Sequence, residues 1–278
     1  MKLGLCQMPV TASKTENHAT MRRYVRDATA AGCDLIVLPE MWCCPYSNAA
    51  FAEYAEPQGG ETWCLLRDTA REYDIWLVAG SVPERDGDAI YNTCYVFDPQ
   101  GAQRAKHRKV HLFDIDVAGG QRFFESDTLS PGQQYTLVDT PFGKLGVAIC
   151  FDVRFAELFR VLALEGAQLI VVPAAFNMTT GPAHWELLFR ARALDNQCFV
   201  AGCAPARDET AGYISYAHSL VCDPWGRVQA QAEAAPELLI CDIDLTETDA
   251  VRAQIPVLCA RRTDLYLSLI HISEPTRP

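Results

Sequence analysis

Short apolar runs alternate with longer stretches of helical spacing along this chain, and that alternation constrains its fold more than any other feature. Runs of strand length occur at Leu35–Leu38, Trp76–Ala79, Leu145–Cys150, Leu169–Val172, Cys198–Cys203 and Leu238–Ile243. Between them, Glu16–Ala31, Thr62–Tyr73, Ala156–Glu165 and Ala183–Asp195 repeat apolar residues at the period of a helix. Such alternation predicts an α/β layered fold. A faint internal repeat sharpens the expectation: Lys2-Leu3-Gly4-Leu5 echoes Lys144-Leu145-Gly146-Val147, and Asp34-Leu35-Ile36-Val37-Leu38-Pro39 echoes Gln168-Leu169-Ile170-Val171-Val172-Pro173. Doubled strand–helix–strand units can pack two sheets face to face with helices outside. No low-complexity linker, charge block or composition break interrupts the chain, so one domain is expected.

Bulk properties narrow the function classes. No apolar run approaches the roughly 20 residues needed to span a bilayer, and the apolar N-terminus is too short for a signal peptide and lacks a small-residue cleavage site. It reads as a buried first strand. The net charge of −11 argues against nucleic acid as a partner, because binding phosphates needs a basic face. Twelve cysteines would suggest disulfides in a small secreted chain, which this is not. Cys6, Cys94, Cys198, Cys203, Cys222 and Cys241 lie in apolar runs, where a thiol behaves as a small hydrophobe. No C-x-x-C pair occurs and Cys43-Cys44 are adjacent, so no metal site is expected and the compartment is read as the reducing cytoplasm.

Three segments could carry chemistry. In Leu35-Ile36-Val37-Leu38-Pro39-Glu40-Met41-Trp42, Pro39 cannot donate to a sheet ladder and ends the strand. Glu40 thus stands at a strand's C-terminal end, where α/β sheets hold ligands. Its apolar neighbours would raise its pKa and suit it to general-base work; the alternative is a solvated loop glutamate. Lys106-His107-Arg108-Lys109-Val110-His111 is the only dense basic cluster. A charge run of this kind is ordinarily a solvated face, yet this one runs into apolar residues, and a lysine facing a pocket could stabilise developing negative charge. The third segment, Gly146-Val147-Ala148-Ile149-Cys150-Phe151-Asp152-Val153-Arg154-Phe155, carries an apolar strand into Cys150 and then into a helix-like stretch. A nucleophile at a strand-to-helix turn is held out with backbone N–H groups nearby, and a helix N-terminus lowers a thiol's pKa. The alternative is that Cys150 is core, like most of the other cysteines.

Competing motifs are absent: no G-x-S-x-G, Walker A loop, H-E-x-x-H or G-x-G-x-x-G occurs. A papain-like pairing of Cys150 with His107, His111, His184 or His218 stays open, although none of these has a local signature.

Taken in order, the three segments resemble the nitrilase superfamily of carbon–nitrogen hydrolases, whose Glu–Lys–Cys triad matches Glu40, Lys109 and Cys150. The likeness extends over the chain up to Tyr266 and leans toward the ω-amidase subgroup. It is carried by Pro45-Tyr46, Tyr91-Asn92-Thr93-Cys94, His111–Val117, Ala175–Trp185 and Gln254-Ile255-Pro256-Val257. The resemblance implies a four-layer αββα sandwich with two face-to-face mixed sheets and outer helices, paired as a homodimer, with no cofactor. It also implies that Glu40 takes the Cys150 proton, and that Lys109 and the Phe151 N–H hold the oxyanion. A second carboxylate, matched by Glu125, would position Lys109 or the substrate.

The implied substrate is the ω-amide of a short 2-oxo dicarboxylic acid, with Arg154 facing its carboxylate and Tyr46, Phe176 and Thr180 lining the pocket. For Arg154 the alternative is a surface salt bridge. A related amidase, an N-carbamoyl amino acid hydrolase or a nitrilase would share the triad, and a non-catalytic scaffold would share the fold. Leu267-Ser268-Leu269-Ile270-His271-Ile272-Ser273-Glu274-Pro275-Thr276-Arg277 resembles the translation of a transposase adapter used in sequencing libraries. The hydrolase domain is therefore read as 1–266 and the segment 267–278 as non-native, with His271 discounted as a site residue.

Overall fold

A computed structural model describes residues 1–265, so the expected non-native tail lies outside the described residues. The first half opens with β1 (Lys2–Gln7), α1 (Lys14–Ala30) and β2 (Leu35–Val37), then α2 (Asn48–Tyr54) and α3 (Glu61–Glu72). Strands β3 (Trp76–Val78), β4 (Val82–Asp86), β5 (Ala89–Phe97) and β6 (Gln103–Arg108) follow, and a small hairpin of β7 (Asp114–Asp116) and β8 (Arg122–Phe124) leads out. The second half runs β9 (Thr136–Thr140), β10 (Gly143–Val147), α4 (Ala156–Leu164), β11 (Leu169–Pro173), α5 (Gly181–Asn196), β12 (Phe199–Cys203), β13 (Leu220–Cys222) and β14 (Val228–Gln231). Strand β15 (Glu237–Asp242) and helix α6 (Thr246–Gln254) come last among the named elements. Among the described residues no helix is long and apolar enough to cross a membrane.

The internal repeat is a repeat of structure. Strand β1 lies parallel to β2 with Leu3 opposite Leu35, and β10 lies parallel to β11 with Leu145 opposite Leu169. Each half therefore begins with one strand–helix–strand unit, extended in parallel by β3 and by β12. Antiparallel strands flank both cores: β5 beside β3, with β4 and β6 on β5, and β9 beside β10, with β13 and β14 beyond β12. Strand β15 returns from the second half to pair antiparallel with β1, giving a seven-stranded sheet and a six-stranded one.

Strand periodicity shows how these sheets are layered, because alternate side chains leave opposite faces. Leu3, Leu5, Leu35, Val37, Trp76 and Val78 join one buried cluster with Val147, Leu169, Val171 and Val221 of the other sheet. The intervening Cys6, Ile36 and Leu77 join a second cluster with Met21, Val25 and Ala28 of α1 and Leu66 and Ala70 of α3. The order is helix, sheet, sheet, helix, as expected. Gly4 and Gly146, at matching registers, turn to the helix layers: a Cβ on Gly4 would meet Cys33 Sγ at 3.0 Å, and one on Gly146 would meet Leu162 of α4 at 3.3 Å.

Element boundaries depart from the sequence reading in one consequential place. Strand β10 stops at Val147, and Cys150 opens a separate 3-10 turn, Cys150–Arg154, before α4 begins at Ala156. The thiol is therefore not at the N-terminus of an α-helix. Cys150 has φ +44°, a left-handed conformation uncommon for a residue with a side chain.

Candidate active site

Four side chains meet where the sheets' strand ends face one another. Glu40 follows β2, Lys109 follows β6, Glu125 follows β8, and Cys150 follows β10; all four are almost fully buried. Lys109 Nζ donates to Glu40 Oε1 at 2.9 Å and to Glu125 Oε1 at 3.0 Å, and lies 2.9 Å from Glu125 Oε2. Glu40 accepts from Asn92 Nδ2 on its Oε1 and from the Ala175 N–H on its Oε2, both at 2.8 Å. Glu125 accepts from Tyr46 Oη and from the Phe113 N–H, both at 2.7 Å. Burying ions costs several kcal/mol each, so such a group persists only where hydrogen bonds satisfy it. Here every carboxylate oxygen has a donor.

Two carboxylates share one ammonium, which shapes the protonation of the cluster. Burial raises the pKa of Glu40; Lys109 opposes this and Glu125 reinforces it, leaving the carboxyl above its usual range. Lys109 is moved down by burial, but the carboxylates of Glu125 and Glu40 outweigh that and hold it firmly protonated. The Cys150 thiol is raised well above its ordinary value by burial and by the Glu40 charge, against the pull of Lys109 and of the nearby Ala175 N–H dipole. This corrects the expectation of a thiol acidified by a helix terminus. The helix begins too late to help, and the thiol keeps its proton until a base removes it. The Glu40 carboxylate lies close enough for its charge to act on that thiol.

The turn that carries Cys150 is held from below by Asp152, a residue given no role by sequence alone. Its carboxylate accepts from the Ile149 N–H at 2.9 Å, from the His111 N–H at 2.9 Å and from His111 Nδ1 at 2.8 Å, with His107 Nε2 at 3.4 Å. Although burial opposes it, the bonds from His107 and His111 keep the carboxyl far below the usual range. His107 has both ring nitrogens occupied, Nδ1 by Thr136 and Nε2 by Asp152, which removes the papain-like reading for it, whereas His111 commits only Nδ1. The Phe151 N–H sits in the first turn of the 3-10 segment, where amides lack acceptors within the helix.

The basic cluster divides by strand alternation. Lys106 and Arg108 turn to one face of β6 and bind the buried Glu84, at 3.0 and 2.8 Å. His107 and Lys109 are buried on the other. Arg154 is half-buried and has no carboxylate partner among the described residues, against the alternative of a surface salt bridge. Its guanidinium lies 4.9 Å from the Phe176 ring and 5.4 Å from that of Phe151, and its Nη1 meets His184 Nδ1 at 3.1 Å. A guanidinium only donates, so this His184 nitrogen accepts. The Arg154 Nε is buried with no partner.

A cavity of about 820 Å³, within the usual range of ligand pockets, opens onto Glu40, Tyr46, Ala175 and Tyr213. Phe176, Arg154 and Thr180 do not line it. Phe176 packs edge-on against Trp185 at 5.1 Å and Thr180 binds Asn177 Oδ1 through its N–H at 2.9 Å, so Thr180 supports the wall rather than forming it. Asn177 in turn bonds Gln121 of the β7–β8 loop, which lines the cavity. Sequence reading missed Asn92, Asp152, Asn177 and Tyr213. Asp152 carried a signal as a polar residue just past a strand end, and Asn92 and Asn177 stood in strings that carry the resemblance without being given a role. Among the described residues no group of three or more His, Cys, Asp or Glu side chains is placed to hold a metal ion.

Known proteins share this arrangement of elements. The family model for carbon-nitrogen hydrolases matches residues 2–253. Over 265 residues, 95% of this chain and 96% of the relative, the sequence is 50% identical to the omega-amidase NIT2 of Danio rerio. The crystal structure of Saccharomyces cerevisiae Nit3, a member of branch 10 of the nitrilase superfamily, superposes with a TM-score of 0.87 at 38% identity, covering 94% of this chain and 96% of that one. An amidase from Nesterenkonia sp. AN1 superposes with a TM-score of 0.81 at 25% identity, covering 97% of each; that structure carries the acetamide moiety of fluoroacetamide covalently added at its active-site cysteine.

Proposed function

This chain belongs to the carbon–nitrogen hydrolase family, and we propose that it acts as an ω-amidase, hydrolysing the terminal amide of short 2-oxo dicarboxylic acids such as 2-oxoglutaramate and 2-oxosuccinamate. Membership makes it an amide-hydrolysing enzyme. The observation that carries the substrate reading is Arg154, a guanidinium without a carboxylate partner four residues past Cys150. A carboxylate at the far end of the substrate would complete it with charge-assisted hydrogen bonds.

In this reading Glu40 takes the Cys150 proton and the thiolate attacks the amide carbonyl, forming a C–S bond and a tetrahedral oxyanion. Lys109 and the Phe151 N–H stabilise that oxyanion. Collapse breaks the C–N bond, and the proton on Glu40 goes to the departing ammonia. Glu40 then takes a proton from water, the hydroxide adds to the thioester, and the 2-oxo acid leaves as the thiol is restored. Glu125 keeps Lys109 oriented, Tyr46 bridges Glu125 toward the pocket, Phe176 seats Arg154, and Thr180 supports the wall. Ammonia release from 2-oxoglutaramate by the wild type and by Cys150→Ala tests the reading. Equal release would remove the nucleophile; dominant turnover of nitriles or N-carbamoyl amino acids in a substrate panel would move the chain elsewhere in the family.

Three wider assignments go with it. The hydrolase domain is taken as residues 1–266. Helices α4 and α5 together expose Leu164 (43%), Leu187 (66%) and Leu194 (51%), an apolar strip suited to a second copy of the chain. A homodimer across this strip is expected in sedimentation, and Leu187→Glu with Leu194→Glu should dissociate it. All twelve cysteines are unpaired, in keeping with the reducing cytoplasm.

A further inference from the structure

The cavity is lined by Glu40 and Ala175, whereas Cys150, whose thiol feels the Glu40 charge, is buried behind them at 3% exposure. Something therefore stands between the open space and the sulfur. Tyr213, in the loop between β12 and β13, lines the cavity. Its hydroxyl donates to the Ala175 carbonyl, so the Ala175 peptide is held by Tyr213 on one side and by Glu40 on the other. Its ring stacks on Tyr46 at 4.4 Å between centroids and meets Phe123 edge-on at 6.3 Å. Tyr46 cannot yield easily, because its own hydroxyl is committed to Glu125.

We propose that the Tyr46–Tyr213 stack is a sieve between the outer cavity and the chamber of Cys150 and Arg154, and that Tyr213 determines how bulky an acyl group can reach the thiol. The outer space could hold ligands much larger than a short dicarboxylate, so the cavity's volume does not set the preference for small linear amides. The stack does. Burial, with the charges of Cys150 and Glu40 behind it, raises the Tyr213 hydroxyl well above the usual phenol range, consistent with a ring facing the chamber. Of the two rings, Tyr213 has the less rigid setting: it sits beside Gly212, whose surroundings are open, on a loop outside either sheet. Its other anchor is a single carbonyl.

This inference deepens the ω-amidase reading and rests on Cys150 being the reactive thiol, but access to that thiol can be read without turnover. The experiment compares alkylation of Cys150 by chloroacetamide and by N-benzylchloroacetamide, followed by mass spectrometry of the Cys150 peptide. In each reaction the sulfur displaces chloride, and the thiol proton passes through Glu40 to solvent. Cys259 is exposed and gives the intrinsic reactivity of each reagent in the same sample. In the wild type the small reagent should be favoured at Cys150 relative to Cys259. Tyr213→Ala should reduce that preference by about tenfold or more, the scale on which pockets discriminate by bulk. Tyr213→Phe should keep it, because the ring does the sieving, and Tyr213→Trp should increase it. Tyr213→Leu replaces the alanine variant if that does not fold. An unchanged ratio in the small-residue and tryptophan variants overturns the proposal. Absence of ω-amide turnover in the wild type would instead sink the substrate reading and leave the labelling ratio intact.

Discussion

The two halves of the molecule begin with the same strand–helix–strand unit and use it differently. Five residues on from Leu35, the first half places Glu40; five residues on from the matching Leu169, the second half places Ala174. Five residues on from Leu145, the second half places Cys150; five residues on from Leu3, the first half places Met8. One half thus contributes the end of its second strand and the other the end of its first. The remaining pair, Met8 and Ala174, are fully buried apolar residues. A doubled frame supplies four equivalent strand ends, and only two of them carry a residue of the candidate site. The difference teaches that the frame sets positions while side-chain choice alone separates reactive from inert ends.

The largest expected effect lies at Glu40. Glu40→Gln should lower kcat/KM by about 10²- to 10⁴-fold, the contribution of a positioned base. It should also abolish the acidic limb of the pH profile. Because burial raises Glu40, wild-type kcat/KM should fall as pH drops through a pKa above the ordinary glutamate range, where the protonated carboxyl can no longer take the thiol proton. A limb that persists in the variant would assign it elsewhere. A smaller effect is expected at Arg154, which belongs to the second half alone. Arg154→Gln removes a charge-assisted bond of about 1.5–3 kcal/mol, so KM for 2-oxoglutaramate should rise by about 10- to 100-fold while an uncharged amide is turned over as before. Smallest is Met8→Leu, a volume-conserving change at the inert counterpart of Cys150, costing under about 1.5 kcal/mol. Activity should be unchanged and Tm barely lowered; a loss comparable to that of Glu40→Gln would break the comparison.

These contrasts also explain what could be read in advance. The parallel strands were legible because both faces are covered, which leaves uninterrupted apolar runs such as Leu35–Leu38. Apart from β15, read as Leu238–Ile243, the antiparallel strands were not. In β6, Gln103–Arg108, outward Lys106 and Arg108 reach a buried Glu84 while inward His107 meets Asp152. A strand that alternates between two sets of charged partners reads as a solvated basic run. Glu40, Lys109, Glu125 and Cys150, which the structure brings together, could be singled out because strand ends and a family pattern mark them. Their supports could not, since Asn92 and Asp152 act through bonds to distant segments that no local spacing encodes. Tyr213 had still less signal, lying in a loop whose only distinction is what it covers.

Strand β15 has a consequence for how the chain is made. It closes the edge of β1, with Lys2 opposite Asp242 and the terminal amine of Met1 bonded to the Ile243 carbonyl. During synthesis the first sheet is exposed with that edge unsatisfied until almost all of the hydrolase domain has left the ribosome. An open apolar strand edge is a template for wrong pairing, and at about 5–20 residues per second this one waits many seconds for its partner. Nascent chains stalled before Glu237 should therefore depend on chaperones, whereas those released after Ile243 can close the sheet themselves.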